Sequence, residues 1–336
     1  MHWPLPFTAN THPTTSRNLA PAVGFAVALS LLPVVAAASC GSAYCTLMTD
    51  RYAQGAGDAH VGLSLDMHLE AVTQTQLRTG THNLAASEVT GEEAIERRTR
   101  NQTQVTTLAY GFNADWSVSL RVPVAKRNHS HDLLDETTGL PTTPEQWRFT
   151  QLGDVQALAR RQFVASEGAV AYALFGGFKL PTGSIHITNS DGSRAERALQ
   201  PGSGTTDLVV GMAGRRAMGL TDVLMGQISV AQALNDREQF KPGRRIDVSA
   251  GWSHAYSPTL GAVLQLNLSR RTRDSGAQAE PDNSGSTTVH LSPGFTVGVG
   301  HAATLYAYVQ VPLYQRVNGI QLVPHSALAL GWTSDF

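Results

Sequence analysis

Period-two alternation, sustained over runs of ten or more residues, is the feature that most limits what this sequence can fold into. Val61, Leu63, Leu65, Met67 and Leu69 share one face of a first run; His60, Ser64, Asp66, His68 and Glu70 share the other. Trp116, Val118, Leu120, Val122 and Val124 oppose Ser117, Ser119 and Arg121. Leu260, Leu264, Leu266 and Leu268 oppose Gln265, Asn267 and Ser269, and Leu305, Val309, Val311 and Leu313 oppose Tyr306, Tyr308 and Gln310. Side chains of a strand point alternately to opposite faces, so each run reads as a strand that is apolar on one side only. A soluble sandwich would alternate too. Length separates the two: soluble strands average about five or six residues, and strands that cross a bilayer need about 9–11.

About twelve such strands are expected, over roughly 58–72, 98–112, 114–126, 147–163, 167–180, 204–216, 221–234, 243–256, 259–272, 285–299, 302–315 and 325–336. Short turns at Asn113-Ala114, Ser166-Glu167, Met218-Gly219, Ser257-Pro258 and Gly300-His301 alternate with polar loops at 73–97, 127–146, 181–203, 235–242, 273–284 and 316–324. The expected fold is all-β: a transmembrane antiparallel up-and-down barrel with short periplasmic turns and long extracellular loops. Closure removes the strand edges that lipid cannot solvate. Composition agrees. Charged residues make up 15%, mean hydropathy is −0.13 and Gly numbers 31, which suits strands that are apolar on one face only. A net charge of −1 gives nucleic acid nothing to hold.

The N-terminus reads as an export signal over 1–38, with Arg17 before an apolar stretch that ends in Ala36-Ala37-Ala38. A transmembrane anchor is the alternative, weakened by Pro21, Gly24 and Pro33. Residues 39–57 form a segment that either hangs in the periplasm or plugs the barrel, and 58–336 form the barrel. Cys40 and Cys45 suit a short-loop disulfide in an oxidising periplasm; a lipidated Cys40, or free or metal-linked thiols, stay open. Leu328, Leu330, Trp332 and the final Phe336 share one face, resembling the terminal signal read by barrel-assembly machinery, although Ser334 departs from it.

The lumen-facing charges are the selectivity candidates: Asp66, His68, Glu70, Arg121, Asp154, Lys179, Asp207, Asp247 and Arg271. A conducting path and a lumen filled by its own side chains both fit a barrel of this size. His129 and His131, with Asp132, Asp135 and Glu136, are weak metal candidates on a solvated loop. His290 and Ser292 lie two apart on one strand face, the spacing that outer-membrane phospholipases use. Here they point into the lumen, with no orienting Asn or Asp evident nearby. No phosphate loop, zinc motif or nucleophile elbow is present. No catalytic residue, metal or cofactor is assigned.

Three motifs occur in order: Gln151-Leu152-Gly153-Asp154-Val155; Lys179-Leu180-Pro181-Thr182-Gly183; and Leu199-Gln200-Pro201-Gly202-Ser203-Gly204 followed by Asp207. Together they resemble the outer-membrane β-barrel family named for the MetA pathway of phenol degradation. The resemblance spans roughly 100–336. It implies a barrel in the Gram-negative cell outer membrane that moves hydrophobic or aromatic compounds. The expected function is a passive channel or transporter for small solutes, with outer-membrane lipid and the assembly machinery as partners. A non-transporting structural or surface-receptor barrel is the alternative, and an outer-membrane hydrolase the third reading. Pro181, Gly183 and Pro201-Gly202 suit strand ends at the membrane surface, or a loop that folds inward. Lys179 and Asp207 are expected to pair at the base of that loop.

Overall fold

The computed structural model describes residues 60–90, 92, 94–135, 137–165, 169–300 and 302–336. The signal segment, residues 39–57 with Cys40 and Cys45, and Glu136 lie outside them. Thirteen strands follow in chain order: β1 (Gly62–Gly80), β2 (His82–Leu84), β3 (Ala94–Gly111), β4 (Trp116–Leu134), β5 (Pro141–Leu152), β6 (Val155–Ala165), β7 (Val170–Leu180), β8 (Asp207–Met218), β9 (Asp222–Ala233), β10 (Arg245–Ala255), β11 (Leu260–Arg271), β12 (Ser286–Val299) and β13 (Ala303–Asp335). Every pairing among them is antiparallel, and β13 returns to β1, from Ser64↔Asp335 to Gly80↔Val317, so the sheet closes.

Among the described residues the wall is made of twelve passes. β2 is a short arm on β1. β5 and β6 both pair with β4 and form one pass interrupted at Gly153-Asp154. β13 reverses at Asn318-Gly319, its first half pairing with β12 and its second with β1. The pleat sorts the side chains as the alternation requires. On β11, Leu266 is 45% exposed toward lipid, while its neighbours Gln265 and Asn267 are 0% exposed in the interior. Across the ladder, Leu266 opposes Leu291, Gln265 opposes Ser292, and Asn267 opposes His290. Each apolar residue thus meets an apolar one outside, and each polar residue a polar one inside. Rings gather at the turn-proximal ends: Phe163 stacks on Tyr172 with centroids 4.9 Å apart, and Arg161 covers Trp116 and Phe163. This is the level where amphipathic rings meet lipid headgroups.

The extracellular end corrects the sequence reading in four places. The loops expected at 73–97 and 127–146 are largely strand, because β1 runs on to Gly80, β3 begins at Ala94, β4 reaches Leu134 and β5 starts at Pro141. The loop expected at 316–324 is a tight reversal in which Gly319 takes a left-handed φ of 55°. The strand read as continuous over 147–163 breaks at Gly153-Asp154. Opposite the break stands Pro123, which has no N–H to give the ladder, and its carbonyl accepts from Gly153 N instead. β1, β3, β4, β5 and β13 therefore form a tall wall. A small apolar core of Leu77, Val89, Ile95 and Leu322 caps it, with Leu84 and Leu134 packed alongside. Between β6 and β12 the strands are shorter, and loops 181–206, 234–244 and 272–285 rise above them.

Candidate functional site

The interior is divided. Met225, Val263, Tyr306, Tyr308 and Ala329 form a buried cluster on the inner faces of β9, β11 and β13. Gln265, Asn267, His290, Ser292 and Gln310 are buried beside it. On the other side lies a cavity of about 530 Å³. It is walled by inward residues of β1, β3, β4 and β6 to β10, with Arg271 at the end of β11, and Asp154, Ser203, Pro242 and Gly243 complete the lining.

The selectivity candidates fall into three groups. Along β1, Asp66 accepts from Tyr306 Oη at 2.6 Å and lies 2.8 Å from His68 Nδ1. His68 Nε2 is 3.5 Å from Glu70, and Arg121 reaches Glu70 at 4.0 Å. At the mouth, Arg245 pairs with Asp247 at 2.9 Å, and Arg271 with Asp274 at 2.8 Å. Between them, Lys179 Nζ sits 2.9 Å from Asp207 and 3.2 Å from Asp154. The expected Lys179–Asp207 pair is therefore present. All nine candidates except Asp66 line the cavity.

The Lys179 group is where the three sequence motifs converge. Leaving the break between β5 and β6, Asp154 accepts from Gly183 N at 3.1 Å, Ser203 N at 2.9 Å and Ser203 Oγ at 2.7 Å. Lys179 donates to Ser203 Oγ at 2.6 Å. Thr182 bridges the break, its hydroxyl donating to the Gly153 carbonyl at 2.8 Å and accepting from Val155 N at 2.9 Å. Thr205 donates to Asp207 at 2.7 Å. Gly183 and Gly202 touch backbone to backbone: a Cβ on Gly183 would lie 2.7 Å from the Gly202 Cα. Only glycine fits there. One lysine between two carboxylates, each with further donors, is a satisfied network of the kind that holds a single geometry.

From this junction loop 181–206 turns inward. Trp147, Ala195 and Leu199 pack together, all nearly inaccessible. Trp147 Nε1 donates to the Ser193 carbonyl at 3.0 Å, and Arg127 donates to the carbonyls of Ala198 and Leu199. Arg127 precedes His129 and His131 on the inner row of β4, so the loop lies on the inner surface of the tall wall. Sequence reading left this choice open, and it gave no site role to Ser203, Trp147 or Arg127. Ser203 stood inside a quoted motif. The others had no local signal, since only strand register and the loop's path bring them together.

His129 and His131 sit on β4 and not on a solvated loop. His129 Nδ1 is 2.8 Å from Thr99 Oγ1, and His131 Nε2 is 2.9 Å from Glu145. Among the described residues no group of three or more His, Cys, Asp or Glu side chains is arranged to hold a metal ion. His290 and Ser292 face the interior as expected. The sequence reading saw no orienter, yet Asn267 stands opposite His290 and donates to Ser292 Oγ at 2.9 Å. All three are buried and none lines the cavity.

With this geometry established, comparison with known proteins finds its likeness in the fold. The COG4313 outer membrane channel from Pseudomonas putida F1 matches at a TM-score of 0.60 and 11% identity, covering 83% of this chain and 97% of that one. The chain shares that barrel architecture. The toluene transporter TodX of Pseudomonas putida follows at 0.45 and 8% identity, covering 88% and 96%. The β domain of the Bordetella autotransporter BrkA follows at 0.44 and 11%, covering 82% and 100%. Scores this low carry no functional argument. No family model and no curated protein matches the sequence, so the resemblance to the phenol-degradation family is not confirmed at that level.

Proposed function

We propose that this chain is a passive channel of the Gram-negative outer membrane for small solutes, aromatic and hydrophobic ones among them. The cavity carries this reading: an interior space of about 530 Å³ bounded by strands from β1 to β11. It is of the size that takes a small organic molecule. Phe175, Val105, Leu158 and Val209 supply apolar wall, while Arg121, Lys179, Asp207 and Asp247 supply charge of both signs. Support also comes from the fold likeness to a protein described as an outer membrane channel and from the lipid-facing belt. The charged residues would then set selectivity, and the phenol-pathway resemblance would point to aromatic cargo. Liposomes carrying the full-length protein should swell in small solutes, and should take up a neutral monoaromatic compound faster than protein-free vesicles. Absence of both would reject the channel. The packed interior face of β11 to β13 favours a second reading, a barrel that conducts nothing and serves as a structural or surface protein.

A further inference from the structure

Loop 181–206 meets the wall at a second place, apart from the Lys179 junction. Glu96, His131 and Glu145 oppose one another on β3, β4 and β5, a single cross-strand row on the inner face. Glu96 is 2% and His131 3% exposed. Glu196 descends from the loop onto this row, its Oε1 3.8 Å from His131 Nδ1, while Glu145 holds His131 Nε2 at 2.9 Å. We propose that Glu196, seated on the Glu96–His131–Glu145 row, forms a proton-dependent latch, which holds loop 181–206 against the wall and releases it as Glu196 ionises.

The charges facing this cluster can be followed element by element. β3 brings Glu96, β4 brings Arg127, His129 and His131, β5 brings Glu145, and the loop brings Arg194, Glu196 and Arg197. Arg127 donates to Asn101 and to the carbonyls of Ala198 and Leu199. Arg197 donates to the carbonyls of Ser203 and Arg237, and Arg194 to the Ile185 carbonyl and Glu238. His129 is held by Thr99. Glu145 and Glu196 face one imidazole from its two sides, and like-charged carboxylates brought this close in a dry pocket repel when ionised. Burial pushes the Glu196 carboxyl well above its usual range, and the like charges of Glu96 and Glu145 push it the same way. A proton held more tightly in the docked state makes docking firm below the ordinary carboxylate range. Docking weakens as pH rises through the raised value.

The latch is separable from the channel proposal, because Trp147 reports it without any flux. Trp147 is 2% exposed beneath Ala195 and Leu199, so release of the loop uncovers it. Acrylamide quenching of the full-length protein in detergent, with the Trp147→Phe spectrum subtracted, isolates that ring. Between about pH 5 and about pH 9, bracketing a raised carboxyl, the wild-type quenching constant is expected to rise several-fold. Glu196→Gln is expected to stay at the acidic value throughout, because a neutral amide keeps the docked charge state. Asp191→Asn, at the exposed loop tip, is expected to follow wild type. Heat-modifiable gel mobility reports folding; if Glu196→Gln fails that check, Glu196→Met, of similar volume and unable to ionise, carries the same expectation. A pH-independent wild type, or a folded Gln or Met variant that follows wild type, overturns the latch.

Discussion

The same loop is held at two sites that differ in kind. At its root, Lys179 lies between Asp154 and Asp207, and Ser203, Thr205 and the Gly183 amide complete the hydrogen bonds. At its crown, Glu196 is set among Glu96, Glu145 and a shared His131. Both sites bury charge. The root gives its two carboxylates a shared lysine and several N–H and O–H donors, so their charge is held when ionised. The crown crowds acids, so burial and like charges keep the docked Glu196 in its neutral form. A satisfied network fixes one arrangement, whereas a cluster that depends on solution conditions lets its segment leave. The loop is therefore expected to hinge at the root and lift at the crown.

The comparison breaks most easily at Asp154. Asp154→Ala removes the acceptor for two loop amides and a hydroxyl, and takes away one of the two carboxylates beside Lys179. Breaking one partner of a buried ionic network typically costs about 3–5 kcal/mol. Hydrogen exchange of the Gly183 and Ser203 amides is expected to accelerate by at least about a hundredfold. If those amides stay protected while the crown amides open, root and crown have been assigned the wrong way round. A smaller loss is expected for Gly183→Ala, whose methyl would collide with the Gly202 backbone. Overpacking of this sort costs about 1–3 kcal/mol. The exchange of 183–203 is expected to rise while the β-barrel itself, read by heat-modifiable mobility, is unchanged.

How much of this could be read beforehand depended on where lipid acts. Inside the bilayer, Leu260 to Leu268 or Val118 to Val124 must be apolar on the outer face, so alternation revealed strand, face and order. Above it, nothing demands apolar residues outside. In the upper part of β4, Arg127 to Asp132 is polar on both faces, which is why it read as loop. The Lys179–Asp207 pair was legible because both residues sit at strand ends joined by one loop. Asp154 was a separate motif, and its place at the root depends on a strand break that Pro123 causes from the neighbouring strand. Glu96, Glu145 and Glu196 had no periodicity to mark them, since only the registers of β3, β4 and β5 and the inward turn of the loop bring them together.

The smallest effect is expected where the loop is tied by exposed charge. Glu238 accepts from Arg194 at 2.8 Å and lies 2.9 Å from His186, and these partners, Arg194 first, hold its carboxyl down at about 2. Its sign is opposite to that of Glu196. A depressed carboxyl contributes above the ordinary carboxylate range and stops contributing only as pH falls through about 2. Over the interval in which the crown is expected to release, Glu238 itself therefore stays ionised. The pair is also open to solvent, where salt screens it and the net effect of an ion pair is small. Glu238→Gln is expected to leave Trp147 quenching indistinguishable from wild type at both ends of the pH interval, and so too in high salt. A Glu238→Gln protein that abolishes the pH response would move the switch from the buried acids to the surface pair. It would remove the distinction between root and crown, because the loop would then be governed by contacts outside both.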